Sequence, residues 1–214
     1  MTRKIYEIGW NMKGKFITFE GSECCGKSTQ SKLLYEYLLQ KGCKAVFLRE
    51  PGGTKVSEDI RQILLDNRNK SITSETELLL YMASRSQTVN EVIKPALELG
   101  KIVVCDRFLD STIVYQGYGL GMDIKFIKSL GKFVTSGIKP DLTILLDLPL
   151  ERALNGICRE KDRIENRSFD YHRKVKNGYL MLAKQEPGRI KIVKLAEEKN
   201  ETQKMIRQLV DKII

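Results

Sequence analysis

Short apolar runs alternate along this chain with longer stretches whose apolar residues recur at helical spacing. Phe16–Glu20, Ala45–Arg49, Ile102–Cys105, Leu142–Leu146 and Ile190–Val193 read as strands. Four of these five are short and continuously apolar, as strands covered on both faces of a parallel sheet must be. Between them, Ser28–Gln40 carries Leu33, Leu34, Tyr37 and Leu38 on one side and stops at Gly42, a helix closed by a C-terminal glycine. Ser74-Glu-Thr-Glu reads as a capping box that opens a helix running to Leu99 with a bend near Pro95. Further helices are predicted over Val56–Leu65, Ile124–Ser136, Phe169–Glu186 and Glu201–Ile213. Strand–helix–strand spacing of this kind predicts an α/β fold, a right-handed, doubly wound five-stranded parallel sheet flanked by helices. There are no repeats or linkers. Residues 1–12 are expected to form a disordered extension and residues 13–214 a single domain.

Between the first strand and the first helix lies Gly21-Ser-Glu-Cys-Cys-Gly26-Lys27-Ser28, a complete G-x-x-x-x-G-K-[ST] run. Its glycines let the loop curl until successive backbone N–H groups converge on phosphate oxygens. The helix N-terminus adds partial positive charge beneath them. Lys27 is expected at the β- and γ-phosphates, and the Ser28 hydroxyl on Mg²⁺. The candidate nucleotide-holding set is therefore Gly21, Ser22, Glu23, Cys24, Cys25, Gly26, Lys27, Ser28 and Thr29, and the fold is expected to be that of the P-loop NTPases. No Asn-Lys-x-Asp base-reading run of a GTPase is present.

Charge sharpens this picture. The chain has 214 residues and a net charge of +10, with 37 Lys and Arg against 27 Asp and Glu. A nucleic-acid binder gathers such charge into patches interleaved with aromatics; here it is spread, with a local excess between Arg152 and Lys176. That distribution fits anionic small substrates and gives no ground for a nucleic-acid or membrane partner. No apolar run is long enough to span a bilayer, the N-terminus lacks a signal-peptide pattern, and the five cysteines have no metal-ligand spacing. A cytoplasmic enzyme with reduced thiols is expected.

The remaining punctuation falls at the C-terminal ends of strands, where open α/β sheets bind their ligands. Arg49-Glu50-Pro51-Gly52-Gly53-Thr54 follows the second strand, and Asp106-Arg107-Phe108 follows the third. Asp106 stands where a Walker-B acid holds Mg²⁺ directly or through water. Arg107 is suited to clamp an acceptor phosphate. Tyr81 and Arg85 lie four apart on one helix face.

Taken with Ser111-Thr112, Tyr115-Gln116, the Pro-Asp-Leu-Thr strand at 140–143 and Asp162-Arg-Ile-Glu165, these runs resemble thymidylate kinase over nearly the whole chain, from Lys15 to Ile214. The resemblance implies transfer of the γ-phosphoryl group of ATP to dTMP, with Mg²⁺, by a homodimer packed through helices such as Val56–Leu65 and Ser74–Leu99. It implies that Arg49 and Arg107 contact the dTMP phosphate and that Glu50 and Pro51 flank it. Tyr81 takes the place of a phenylalanine that stacks on thymine, and Arg85 that of an arginine at O4. Ser111, Thr112 and Gln116 would surround the base, Tyr115 would press on the deoxyribose, and Glu23 would contact the 3′-hydroxyl. With no basic residue between Gly21 and Gly26, the chain resembles the bacterial type whose catalytic arginine comes from a short lid, with Arg159 and Arg163 as candidates. Cys24 replaces a usual small residue and Cys25 adjoins it; both thiols are expected to be reactive beside the phosphates. Two other readings stay open: a deoxynucleoside kinase with Glu50 as base, and a nucleic-acid-dependent ATPase.

Overall fold

A computed structural model describes residues 14–149 and 161–214; the predicted extension at 1–12 and residues 155–160 of the predicted lid at 155–167, Arg159 among them, lie outside them. Strands β1 (Lys15–Glu20), β2 (Ala45–Arg49), β3 (Ile102–Asp106), β4 (Leu142–Asp147) and β5 (Ile190–Lys194) form one all-parallel sheet in the order β2-β3-β1-β4-β5. The continuously apolar β3 is buried along its whole length, and β1 is buried from Phe16 onward. Register brings Phe19 of β1 and Arg49 of β2 level with Asp106 of β3, so the three strands end together on one edge.

Helices α1 (Lys27–Gln40), α2 (Lys55–Leu65) and α3 (Ser74–Thr88) follow the first two strands. Ile17 and Phe19 pack with Leu34 and Leu38 of α1, while Phe16 packs on the other side with Val103 and Phe108. Each fully buried side chain of this size contributes about 1.5–3 kcal/mol. Thr73, and not Ser74, caps α3, accepting a hydrogen bond from the Thr76 N–H at 3.2 Å. The capping-box glutamate thereby moves off the cap: Glu77 is fully buried and turned into the protein.

After Thr88 the helix widens to a π-helical stretch, Val89–Ile93, before α4 (Lys94–Glu98). The irregularity expected near Pro95 is thus a π-turn just ahead of it. Helix α5 (Leu109–Thr112) and a π-helical segment, Ile113–Gly119, were not legible as helix. They are followed by α6 (Ile124–Val134), α7 (Phe169–Gln185) and α8 (Lys199–Val210). Arg189 next to β5 binds both Asp110 carboxylate oxygens, at 2.6 and 3.0 Å, and so fixes α5 over the sheet edge.

Candidate active site

The common edge of β1, β2 and β3 opens into a cleft of about 440 Å³. One end is the glycine loop. Gly21 (φ 142°) cannot be replaced, because a Cβ would lie 2.5 Å from the Leu146 carbonyl oxygen. Gly26 (φ 77°) stands at the N-cap of α1 without any side-chain cap, and the first turn of α1 carries no acid. The N–H groups there remain available to an anion. Lys27 is buried and bridges Ser22 O at 2.5 Å and Cys25 Sγ at 3.5 Å. Ser28 Oγ donates to Asp106 Oδ2 at 2.5 Å, while Asp106 Oδ1 is buried with no hydrogen-bond partner among the described residues. A hydroxyl beside a carboxylate with an orphaned oxygen fits a hard cation that takes its other ligands from phosphate and water. No cluster of three or more His, Cys, Asp or Glu is present among the described residues, and a cation held together with phosphates does not need one.

At the other end three arginines from different elements meet the cleft, each beside a glutamate. Arg49 lies 3.0 Å from Glu58 Oε2, Arg85 2.7 Å from Glu50 Oε2, and Arg107 2.8 Å from both Glu23 oxygens. Arg107 has a left-handed backbone, φ 71°, a conformation costly for a side chain of this size. It also sits 3.2 Å from the Tyr115 hydroxyl. Tyr115 in turn donates to Glu23 at 2.5 Å. Burial alone would raise the Glu23 carboxyl; Arg107 and Lys27 outweigh it and bring it down to about 2. For Glu50 burial wins over Arg85, and the carboxyl is raised.

Of the sequence candidates, Glu23, Cys24, Gly26, Lys27, Ser28, Thr29, Arg49, Glu50, Pro51, Tyr81, Arg85, Asp106, Arg107, Ser111, Thr112, Tyr115 and Gln116 all line the one cleft. Three placements differ from expectation. Arg163 is turned away: its Nε donates to Leu64 O at 2.9 Å and its guanidinium lies 2.6 Å from Glu77, so it is held in the wall and not offered to a phosphate. Ser111 Oγ donates to Glu20 at 2.6 Å and lies 3.3 Å from Arg107, which sets it beside that arginine and not among the groups expected around a base. The two thiols separate, since Cys24 is exposed at the mouth (φ 54°) while Cys25 is 1% exposed beneath Lys27. Of these two thiols, only Cys24 is open to a reagent.

Sequence reasoning missed several groups. Glu20, the last residue of β1, accepts from Phe108 N at 2.8 Å, Ser111 Oγ at 2.6 Å and Tyr179 at 2.9 Å. Burial, with Asp110 nearby, raises its carboxyl to about 7. Arg61 lines the cleft and donates to Pro51 O at 3.0 Å beside Arg49; burial and that neighbour lower its basicity. Glu77 is the third. It lies at Glu77–Tyr81–Arg85 spacing, so its place on the inner face of α3 was readable.

Comparison with known proteins points to one family. A family model described as Thymidylate kinase matches residues 19–206. A thymidylate kinase of Thermoanaerobacter sp. (strain X514) is 49% identical over 204 residues, covering 95% of this chain and 100% of the relative. One from Geotalea daltonii is 54% identical, covering 84% of this chain and 88% of the relative. A crystal structure of thymidylate kinase from Ehrlichia chaffeensis superposes with a TM-score of 0.77 at 33% identity, covering 92% of this chain and 98% of that one.

Proposed function

The chain belongs to the thymidylate kinase family, and from that premise we propose that it transfers the γ-phosphoryl group of ATP to dTMP, giving dTDP and ADP. The observation that carries the reading is the single cleft with a phosphate cradle at one end and Arg49, Arg85 and Arg107 at the other. Phosphoryl transfer needs alignment and charge neutralisation more than covalent chemistry. The acceptor is itself a phosphate, so no strong base is required.

Loop amides and Lys27 hold the ATP phosphates. Arg107 and Arg49 receive the dTMP phosphate, with Arg107 exchanging part of its contact with Glu23 for the incoming anion. Arg85 and Gln116 face the base, Tyr81 stacks on it, and Tyr115 stands against the sugar. Ser28 and Asp106 would hold Mg²⁺, which when bound neutralises charge between the β- and γ-phosphates. Arg159 is assigned to the γ-phosphoryl because Arg163 is engaged by Glu77 and Leu64 O. The deoxynucleoside-kinase reading needs Glu50 as a base, and its engagement by Arg85 at 2.7 Å disfavours it.

Among the described residues no helix is long and apolar enough to cross a membrane; we place the reaction in the cytoplasm on the strength of the reduced-thiol composition. Exposed Val56, Ile63, Leu79, Phe126 and Phe133 lie on α2, α3 and α6, which pack side by side, and this apolar face supports the homodimer. The decisive experiment is ADP release with dTMP set against dUMP, dCMP, thymidine and purine monophosphates. Preference for dTMP is expected; equal use of a purine monophosphate would overturn the reading.

A further inference from the structure

Gln116 sits in the π-helical segment against the cleft and is 1% exposed. A glutamine amide has two unlike ends, and a base-reading glutamine is useful only if one end is fixed inward. Here the fixing group is on α3. Glu77, one helical turn before Tyr81 and two before Arg85, is fully buried. Its Oε2 accepts a hydrogen bond from Arg167 at 2.7 Å and forms an ion pair with Arg163 at 2.6 Å. Its Oε1 is left to Gln116 Nε2, at 2.9 Å.

A carboxylate facing two guanidinium groups accepts and has nothing to donate, so only the NH₂ end of Gln116 can face it. The planar amide then turns Oε1 the other way, toward the cleft. Thymine and uracil carry an N–H donor at N3, whereas cytosine carries a bare nitrogen acceptor there. Oε1 opposite N3 therefore bonds the first two and confronts the third with a second acceptor.

We infer that Glu77 is a positioning residue for base selection: by holding the Gln116 NH₂ it presents Gln116 Oε1 to the cleft, and so selects a pyrimidine nucleotide with an N3–H. The inference rests on the proposed dTMP-kinase reading and adds to it the residue that sets the polarity of base recognition. Glu77 touches no substrate and acts through Gln116.

The test is steady-state kinetics with dTMP, dUMP and dCMP on the full-length protein. Glu77→Gln keeps the shape but lets residue 77 donate, so that Gln116 is free to reverse. The expected result is a fall in the dTMP:dCMP ratio of kcat/KM of about 10- to 100-fold, the scale set by one mismatched buried polar contact. Most of it should appear in KM for dTMP. The dTMP:dUMP ratio and the KM for ATP should stay constant, because both pyrimidinediones keep the N3–H. In a Gln116→Met background the same Glu77→Gln change should no longer move the dTMP:dCMP ratio.

If Glu77→Gln does not fold, Glu77→Asp keeps the charge the arginines require while drawing back from Gln116, and a fall of about 3-fold or more is expected. A folded variant of either kind with an unchanged dTMP:dCMP ratio overturns the inference, as does an equal effect in the Gln116→Met background. An unmutated protein with no preference for dTMP would instead overturn the functional reading, so the two failures are distinguishable.

Discussion

The nine candidate residues at the donor end are consecutive, 21–29, and their work is done largely by main-chain N–H groups at the start of α1. At the acceptor end the corresponding work falls to side chains. Arg49, Arg85 and Arg107 come from three separate elements, and Glu58, Glu50 and Glu23 hold them from three more positions. A local motif built on backbone tolerates variation at its side chains, as Cys24 and Cys25 illustrate. A pocket built from paired charges needs every partner in place, because an unpaired buried charge is expensive. The phosphate site is therefore legible as one unbroken run of letters, and the acceptor pocket only as separate runs scattered along the chain.

The sharpest break at the donor end is Lys27→Met, the one side chain there whose charge the amides cannot replace. Turnover should fall by about 10³-fold, the upper range for removing a transition-state charge stabiliser. The thermal midpoint should move less than turnover, since among the described residues Lys27 hydrogen-bonds Ser22 O and Cys25 Sγ, and Arg107 remains to pair with Glu23. A loss confined to KM for ATP would move Lys27 from catalysis to binding.

At the acceptor end the largest effect should fall on stability. Arg85→Met removes the partner of Glu50, in a pair whose side chains are 3% and 2% exposed, and strands Thr112 and the Phe108 carbonyl as well. The cost is about 3–5 kcal/mol by urea unfolding at pH 7. Glu50 is already raised by burial, and losing Arg85 raises it further. The native state then holds a proton that the unfolded chain releases, so the deficit should shrink as pH falls toward 5. A cost below about 1 kcal/mol would mean that the pair is not a structural unit.

The lid arginines separate function from architecture. Arg159→Ala should lower kcat by about 10²-fold with the fold unchanged. Arg163→Ala should instead lower stability, by less than Arg85→Met, through loss of its Glu77 and Leu64 contacts. Equal loss of kcat in both would return Arg163 to the phosphate.

Much of this frame is readable in advance. The five strands announce themselves because burial on both faces demands apolar runs, and their ends differ from the structure by a residue. The cradle is legible because its chemistry needs fixed spacing. The segment Ile113–Gly119 is not, since Ile-Val-Tyr-Gln-Gly-Tyr-Gly has strand-like composition and becomes helical only when packed against α7. Glu20 and Glu77 escape for another reason. Glu20 closes an apolar strand and Glu77 reads as a surface capping-box acid, and the partners that give each its role are distant: Tyr179 for one, Arg163 and Arg167 for the other. With Thr73 as the cap, Glu77 falls one position beyond the capping-box site and turns inside.

Two glutamates three residues apart allow the contrast to be read by titration. Glu20, at about 7 against an ordinary 4.5, binds a proton in the native state that the unfolded chain has lost. Stability is therefore given up as pH rises from 4.5 to 7. Glu23, at about 2, does the reverse: its contribution is complete above 4.5 and is lost as pH falls toward 2. Each is worth about 3 kcal/mol over its window, some 2.5 pH units wide. Glu20→Gln should flatten the decline of unfolding free energy between pH 5 and 8. The destabilisation caused by Glu23→Gln should fade below pH 4. Parallel curves for either variant and the unmutated protein would show that the group does not couple to folding.

The smallest effect tests whether the donor loop is as indifferent to its side chains as the comparison claims. Cys24 holds φ 54°, a left-handed conformation that costs an L-residue about 1 kcal/mol and costs glycine little. Glycine in turn loses more chain entropy on folding. Cys24→Gly should therefore stabilise the protein by no more than about 0.5–1 kcal/mol and leave kcat for dTMP within about 2-fold, while removing the exposed thiol at the mouth. Inhibition of the unmutated protein by a thiol reagent, relieved by ATP, should vanish in Cys24→Gly, since Cys25 is shielded beneath Lys27. Inhibition that persists in the variant but disappears when Cys25 is replaced as well would mean that the loop opens far enough to expose Cys25. The cradle would then be a moving part, and its independence from the acceptor end would fail.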